Sequence, residues 1–563
     1  MDTSFYFQPV VLEAVAIAVI FSIGLATYNY SMRLLRFVEV ILARLGKNRI
    51  LAGGLVALVA FILSATISLS GRIPEPEVHD EFSYLLEADT FAHGRLTNPT
   101  HPMWIHFETF HVIHQPTYAS KYPPGQGLAL ALGQVLTGHP IVGVWITNAI
   151  ACAAVYWMLI AWVPSWLALV GGLMTALHPG IIFWSQMYYG GQLAMIGGAL
   201  VFGAFRRLVH QPRVREALLL GLGIVIFANS RPYEGLVASI PLAIVLLLWM
   251  ASKNGPPVAV SLRKIVFPIF LLLAVSAAAM GYYNWRVTGS PIRLPYMVHE
   301  AQYDPAPSFI WQQPRIVPAY RHKVIEAFYN GWSMGWYYET LSVSNFLRIS
   351  VEKLQRAWVF FEGMSPLRLV LSIPLLALPW YFGDRWFRFL LISAIIFAAG
   401  LLTIVWAGAR LSAPITGALI LIYVEGLRRL RVFRFRGRQV GRLLVWAITI
   451  VATTTFVMEW FSVINDKTPH WGFERARINR ELADGGGRHL IVVRYGVQHS
   501  PLLEWVYNEA DIDAAKVVWA REMAPAEDKQ LIDYFKDRKV WLLDDFDDSQ
   551  PPRVTEYPRS NVN

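Results

Sequence analysis

The feature that most limits what this chain can fold into is a series of apolar runs, each about as long as a hydrocarbon layer is thick. At about 20 helical residues per crossing, such runs fall near 9–29, 50–70, 140–161, 166–183, 189–205, 217–230, 235–250, 265–284, 367–383, 389–406, 409–427 and 443–461. That makes about twelve. No soluble globule of 563 residues has an interior for them, because 55% of the chain is hydrophobic and 13% aromatic, with a mean hydropathy of +0.40. The fold expected is mainly α, a polytopic membrane protein of about twelve transmembrane helices. The first run, about Val10 to Tyr28, follows Asp2 rather than a basic stretch, so it is expected to stay as a helix and not to be cleaved. The lone Cys152 lies within an apolar run and reads as a small buried hydrophobe.

The formal charge of +10 is placed where it orients a membrane protein. Lys and Arg collect in cytoplasmic connections, and here they alternate. Arg33, Arg36, Arg44, Lys47 and Arg49 follow the first run, Arg206, Arg207, Arg213 and Arg215 the fifth, and Lys253, Arg263 and Lys264 the seventh. Arg385 and Arg388 follow the ninth, and seven arginines from Arg428 to Arg442 the eleventh. Nucleic acid is not expected as a partner, since the excess lies in these connections and not on one basic face. Twelve crossings place both termini and the long loops 71–127 and 285–365 on the outer face. The apolar segment Gly127 to Leu136 must then not cross, and is read as a short helix at the outer surface or dipping in and returning. The division that follows is 1–49, an extra N-terminal helix and basic cytoplasmic loop; 50–461, a transmembrane domain; and 462–563, a small soluble α/β domain on the outer face. Its strands are expected in RHLIVVRYG, AKVVWA and RKVWLLDD.

The loop 71–127 is a polar island rich in ionisable groups, and such groups beside hydrocarbon are costly unless paired or facing a cavity. Asp80 and Glu81 open a segment in which Phe82, Leu85, Leu86, Ala88 and Phe91 recur at helical spacing. One of these carboxylates could act as a general base; either could also decorate a helix N-terminus. Lys121 precedes Tyr122, Pro123, Pro124 and Gly125, and can be read as a held ammonium or as a snorkelling side chain. Arg231, in NSRPYEG, and Arg410, in GARLSAP, stand at the outer ends of apolar runs, where guanidinium groups suit a phosphate at headgroup depth. His106, Glu108, His111 and His114 form HxExxHxxH, which is neither HExxH nor a closed zinc pattern. A metal at His106, Glu108 and His111 is therefore not favoured, and no cofactor is required. The second loop, with Trp332, Trp336, Tyr337 and Tyr338, has room for one or two interfacial helices.

In order and side, HDEFSYLLEADTFAHGRL, KYPPGQG, RPYEG and ARLSAP resemble the GT-C superfamily of polyprenyl-phosphate-sugar glycosyltransferases, nearest to the protein O-mannosyltransferase and lipid A aminoarabinose transferase group. The likeness spans roughly residues 50 to 430. It implies a GT-C-like membrane domain that moves a sugar, with inversion, from a polyprenyl-phosphate donor to a lipid, glycan or protein acceptor. Asp80 then matches the family's first-loop acid, and Lys121, Arg231 and Arg410 would hold the departing phosphate. Glu81, Glu108 and Glu234 compete for a second acidic role, and Glu108, Glu234 and His111 are candidates for orienting the acceptor. The place implied is a bacterial inner membrane, with both termini and the active site periplasmic. A transporter or flippase of lipid-linked sugars shares the span count and basic loops, but carriers commonly show repeats with broken helices at mid-membrane. A scaffold presenting the C-terminal domain is a third reading.

Overall fold

The computed structural model describes residues 4–362, 369–377, 379, 383–465, 471–497, 499–545 and 552–558. Within them the chain is mainly helical, and eight helices are long and apolar enough to cross a membrane. They are Arg49–Ser70, Pro140–Leu159, Gln192–His210, Pro232–Ala251, Val258–Thr288, Arg385–Leu402, Ala409–Arg431 and Val440–Asn465. The remaining four expected runs take other forms. The first, with the basic segment after it, is a helix pair, Val11–Ala26 and Tyr28–Lys47, bent by 107°, which brings the count to nine if the pair is one span. The second member carries Arg33, Arg36, Arg44 and Lys47, too much charge for hydrocarbon, and its amphipathic character suits an interface.

Run 166–183 is cut short by one residue. The helix Ser165–Leu177 ends at His178, and Pro179 starts a new turn, Pro179–Trp184. Proline donates no N–H and pushes the residue before it into extended backbone, and His178 has φ −65° and ψ 123°. Run 217–230 is the helix Val214–Ala228, whose 15 residues fall short of a full crossing. Of run 367–383, the helix Leu369–Leu375 is described; residues 367–368, 378 and 380–382 lie outside the described residues.

The segment Gly127 to Leu136 forms most of the helix Gly125–Thr137, which lies along Pro140–Leu159. Two glycines allow that contact. A Cβ on Gly133 would sit 2.2 Å from the Gly143 nitrogen, and one on Gly143 2.1 Å from the Ala129 carbonyl oxygen. Backbone therefore meets backbone, as small residues permit between membrane helices. Cys152 is fully buried in the main apolar cluster with Val56, Tyr156 and Phe202.

The loop 71–127 holds the helix His79–Ala92 and a small antiparallel sheet of β1 (Asn98–Pro99), β2 (Val112–Ile113) and β3 (Thr117–Ser120), ordered β1-β3-β2. Strands of two to four residues leave no alternation to read in the sequence. The second loop carries Pro295–Gln302, a helical stretch from Lys323 to Thr340, and Val343–Phe361. Of its four ring residues, Tyr337 is buried, while Tyr338 is exposed.

Near the C-terminus, β4 (His489–Tyr495), β5 (Val517–Arg521), β6 (Lys539–Asp545) and β7 (Arg553–Glu556) form one sheet ordered β5-β4-β6-β7. β4 runs parallel to both neighbours, and β7 is antiparallel to β6. Side chains alternate across a strand, so Ile491 and Val493 face Ile478 of the helix Trp471–Asp484. Leu490 and Val492 face the other way, and there the sheet shares one core with Leu86, Phe107, Val112 and Tyr118 of the loop 71–127.

Replacing Gly143 by valine forces a side chain into the Ala129 carbonyl, and overpacking of this kind costs about 1–3 kcal/mol. Its expected result is a lowered melting midpoint of the detergent-purified protein. Gly54→Ala, where an added Cβ meets nothing within 4 Å, serves as the control and leaves the midpoint unchanged or slightly raised.

Candidate active site

Asp80 lies in the first turn of His79–Ala92 and is 9% exposed. One oxygen accepts from the Tyr122 hydroxyl and lies 2.8 Å from Nδ1 of His111; the other accepts from the Arg410 guanidinium. Burial opposes ionisation of this carboxyl, but Arg410, His111 and Tyr122 outweigh it and hold it well below the usual carboxylate range. His111 is pushed down to about 4, by burial first and then by Lys121, against the pull of Asp80. It is therefore a neutral imidazole at pH 7, and its N–H donates to Asp80.

His111 has φ +60°, a left-handed backbone unusual for a residue with a side chain. Three hydrogen bonds keep it there. Its N–H donates to the Tyr329 hydroxyl at 3.2 Å, and its carbonyl accepts from the Ser83 hydroxyl at 2.7 Å and the Lys121 N–H at 3.2 Å. Backbone strain held by surrounding bonds is common where a side chain must be aimed.

The cations rest on aromatic faces. The Arg410 guanidinium stands 4.3 Å from the Tyr189 ring centre and 5.3 Å from that of Trp406. Lys121 is buried, with its ammonium 5.4 Å from the Tyr122 ring centre and 5.6 Å from that of Tyr296. Ring faces attract cations without neutralising them. Among the described residues no carboxylate lies within 4 Å of Lys121, and burial lowers its pKa, against the fields of Asp80, Asp304 and Glu300. Arg231 immediately precedes the helix Pro232–Ala251. Burial works against its charge, but Tyr84, Glu234, Tyr296 and Asp80 around it more than restore it and hold its pKa above the ordinary arginine value.

Two turns fix the spacing of these cations. The N–H of Gly125, just after Lys121, Tyr122 and two prolines, donates to the Asn229 carbonyl at 2.9 Å, two residues before Arg231. A Cβ at position 125 would lie 2.5 Å from that oxygen, so only glycine lets the turns meet.

Asp80, His111, Lys121, Arg231 and Arg410 are thus brought together, with Glu234 buried beside Arg231. Glu81 is turned to backbone. One of its oxygens accepts from the Glu77 and Val78 amides at 2.8 and 3.3 Å, and the other from the Tyr188 amide at 3.0 Å. Burial pushes its carboxyl up to about 7 in spite of these donors. Glu108 lies elsewhere, where the loops 71–127 and 285–365 meet: it accepts from Tyr303 at 3.0 Å and Arg321 at 3.2 Å, and His322 stands 3.4 Å away. His106 faces the Arg521 carbonyl of β5 at 3.2 Å. His106, Glu108 and His111 do not converge, and among the described residues no three such side chains are grouped to hold a metal ion.

Several members of the site were not singled out from the sequence. Tyr122 donates to Asp80, stacks on Tyr84 with ring centres 4.4 Å apart, and meets Tyr296 edge-on at 5.5 Å. A tyrosine stands in each of the quoted DEFSYLLE, KYPPGQG and RPYEG motifs, which was the available signal for two of them. Asp304, of the second loop, faces Lys121 and is pushed up to about 6 by burial. His79 ties the site to the C-terminal segment, one ring nitrogen to the Pro501 carbonyl at 2.9 Å and the other to the Tyr507 hydroxyl at 2.8 Å.

Two cavities meet at Gly408, and one of them reaches Arg410. One of about 490 Å³ includes Met187, Tyr189, Arg356 and Arg410. The other, about 460 Å³ and mostly apolar, lies among Ser165–Leu177, Val343–Phe361, Arg385–Leu402 and Ala409–Arg431. Gly408 lines both.

No family model matches the chain, and no curated protein does. Solved structures do. ArnT from Cupriavidus metallidurans in the apo state aligns with a TM-score of 0.50 at 12% identity, over 87% of this chain and 93% of that one. The same protein bound to undecaprenyl phosphate gives 0.48 at 11%, over 87% and 93%. The Archaeoglobus fulgidus oligosaccharyltransferase in complex with Zn and sulfate gives 0.48 at 13%, over 87% and 67%. The likeness to apo ArnT, a GT-C protein, is one of fold: the chain has a GT-C-like fold, as its motifs imply.

Glutamine at position 81 cannot accept at both ends, because one of its two terminal atoms is a donor. Glu81→Gln leaves a buried amide unsatisfied, which costs about 1–3 kcal/mol. The expected outcome is a drop in melting midpoint. With a folded pKa raised to about 7, the Glu81 contribution is fully present below its unfolded value and is lost as pH rises through 7. The wild type therefore loses stability over that interval relative to the variant, as melting curves against pH will check.

Proposed function

We propose that this protein is an inverting glycosyltransferase that moves a sugar from a polyprenyl-phosphate donor to a hydroxyl or amine of a lipid, glycan or protein acceptor at the outer face of a membrane, a bacterial inner membrane with periplasmic termini. The observation that carries the proposal is the meeting of one ionised carboxylate, Asp80, with three cations drawn from separate parts of the chain, Lys121, Arg231 and Arg410. The GT-C fold supports it.

The reading assigns each group a step. The donor phosphate seats against Lys121 and Arg231, whose charges no carboxylate within 4 Å neutralises among the described residues. Part of the hydrocarbon tail occupies the apolar cavity that meets the site at Gly408. Arg410 is shared. With no donor it pairs with Asp80; with one, the phosphate competes for it, and Asp80 loses its strongest cation and becomes more basic. Asp80 then takes the proton of the acceptor nucleophile as the latter attacks the anomeric carbon from the face opposite the phosphate. The C–O bond to the phosphate breaks, and its electron pair stays on the oxygen that the cations stabilise. His111 and Tyr122 aim the carboxylate throughout. The acid that makes the nucleophile is thus kept weakly basic until the leaving group is in place.

Asp80→Asn is expected to lower transfer by about 10²- to 10⁴-fold, the usual contribution of a general base. Donor binding should persist or tighten, because Arg410 is no longer engaged by a charge. Equilibrium binding of a polyprenyl-phosphate sugar, measured beside single-turnover transfer, checks both. Loss of donor binding together with transfer would instead make Asp80 a folding residue.

The sharing of Arg410 also predicts two different acid limbs. In the free enzyme Asp80 is held well below its usual pKa, so kcat/KM falls only at low pH. In the donor complex the carboxyl titrates higher, so the acid limb of kcat lies above that of kcat/KM. Coincident limbs would show that the phosphate does not engage Arg410.

A further inference from the structure

The helix ends remote from Asp80 enclose a cavity that the reaction does not use. Arg49 begins the helix whose other end is Ser70, Arg206 and Arg207 lie in the last turns of Gln192–His210, and Arg213 to Glu216 begin the helix that ends at Ala228, near Arg231. Between them lies a space of about 390 Å³ with an adjoining recess of about 200 Å³. Both are lined by Arg49, Ile160, Arg207 and Arg215. Five arginines face the larger space against one carboxylate, Glu216, which is buried and takes Arg215 at 2.6 Å.

Inner-face positive charge explains why arginines occur here, but not how they are held. Arg207 is pinned: its guanidinium donates to the Gly203 carbonyl at 2.9 Å and the Trp157 carbonyl at 2.7 Å, and lies 3.9 Å from a Trp157 ring centre. Arg206 lies 4.4 Å from a Trp386 ring centre. Arginines that served only to orient the chain would trail in water. The second observation is a hydroxyl. Tyr156 is 1% exposed, lines the recess beside Arg49 and Arg207, and its buried hydroxyl has no hydrogen-bond partner. A buried donor left unmade is costly, and an incoming oxyanion would satisfy it.

We propose that the recess binds a phosphate group, with the Tyr156 hydroxyl as a neutral donor and Arg49, Arg207 and Arg215 as cations, their planar forks matching phosphate oxygens. The phosphate is either the headgroup of an anionic lipid in the inner leaflet or free phosphate in the aqueous phase. The site stands independently of the transfer reaction proposed for Asp80.

The test uses the full chain purified in detergent, in a Lys121→Gln background that weakens any phosphate binding on the outer face. Melting midpoints are titrated with inorganic phosphate, with dioctanoyl phosphatidylglycerol and with dioctanoyl phosphatidylcholine, and dissociation constants are taken from the saturable rise. A rise with phosphatidylglycerol alone assigns the site to a lipid headgroup, and a rise with inorganic phosphate assigns it to the free ion; either supports the proposal. Tyr156→Phe, which keeps the ring, should weaken binding about five-fold, as loss of one hydrogen bond does. Arg49→Gln with Arg215→Gln should weaken it by about ten-fold or more, as charge-assisted bonds do. Both arginines are exposed at helix ends, and Arg49→Gln is also read alone, because Arg215 is the partner of the buried Glu216. No saturable response to any of the probes, an equal response to phosphatidylcholine, or dissociation constants untouched by these substitutions would overturn it.

Discussion

The ion pair between Asp80 and Arg410 joins residues 330 positions apart, and the elements around the site are built to let it form. Breaking a buried pair by removing one partner costs about 3–5 kcal/mol, so each group is costly to bury without a counter-charge. Asp80 is presented by the first turn of a loop helix that Glu81 fastens to the Tyr188 amide. Arg410 sits in a tight turn, Ala409–Ile415, at the start of a membrane helix, against Tyr189 of the same neighbouring segment. Both partners are thus referenced to Tyr188 and Tyr189. A shift of that segment moves them together, and the pair survives.

The same economy appears in how charge is managed. Lys121 and Arg410 are backed by rings, which lower the cost of a buried cation without cancelling its field. Carboxylates that would cancel it are engaged elsewhere. Glu81 is spent on amides, Glu108 on Arg321 and His322, and Glu300 on Arg315. The remaining attraction of the site for an anion is therefore a product of where the acids are sent as much as of where the cations stand.

Hydropathy made the membrane class legible, and the motifs made Asp80, Lys121, Arg231 and Arg410 legible as a set, because each lies at an abrupt change from apolar to polar sequence. Length was less well served. The break at Pro179 and the 15-residue helix Val214–Ala228 look like spans when only composition is read, since apolarity continues across a point where backbone geometry does not. Glu81 could not be told from Asp80 by position. Which of two adjacent acids faces the cavity depends on the amide of Tyr188, more than a hundred residues away. Tyr122 and Tyr296 were hidden for a related reason: an aromatic at a membrane edge reads as an interfacial anchor until its hydroxyl or ring is seen to touch a charge.

The core shared by the loop 71–127 and the C-terminal sheet sets an order of events. Leu86, Phe107 and Tyr118 pack against Leu490, Val518 and Leu542, and His79 bonds to Pro501 and Tyr507, more than four hundred residues later. During synthesis the loop emerges long before its partner exists. It must wait with that apolar face uncovered while the intervening helices are inserted, and its last contacts close only when the final fifth of the polypeptide arrives. A chain cut short before the C-terminal sheet would therefore be threaded through the bilayer yet unfinished beside Asp80, with that apolar face still uncovered.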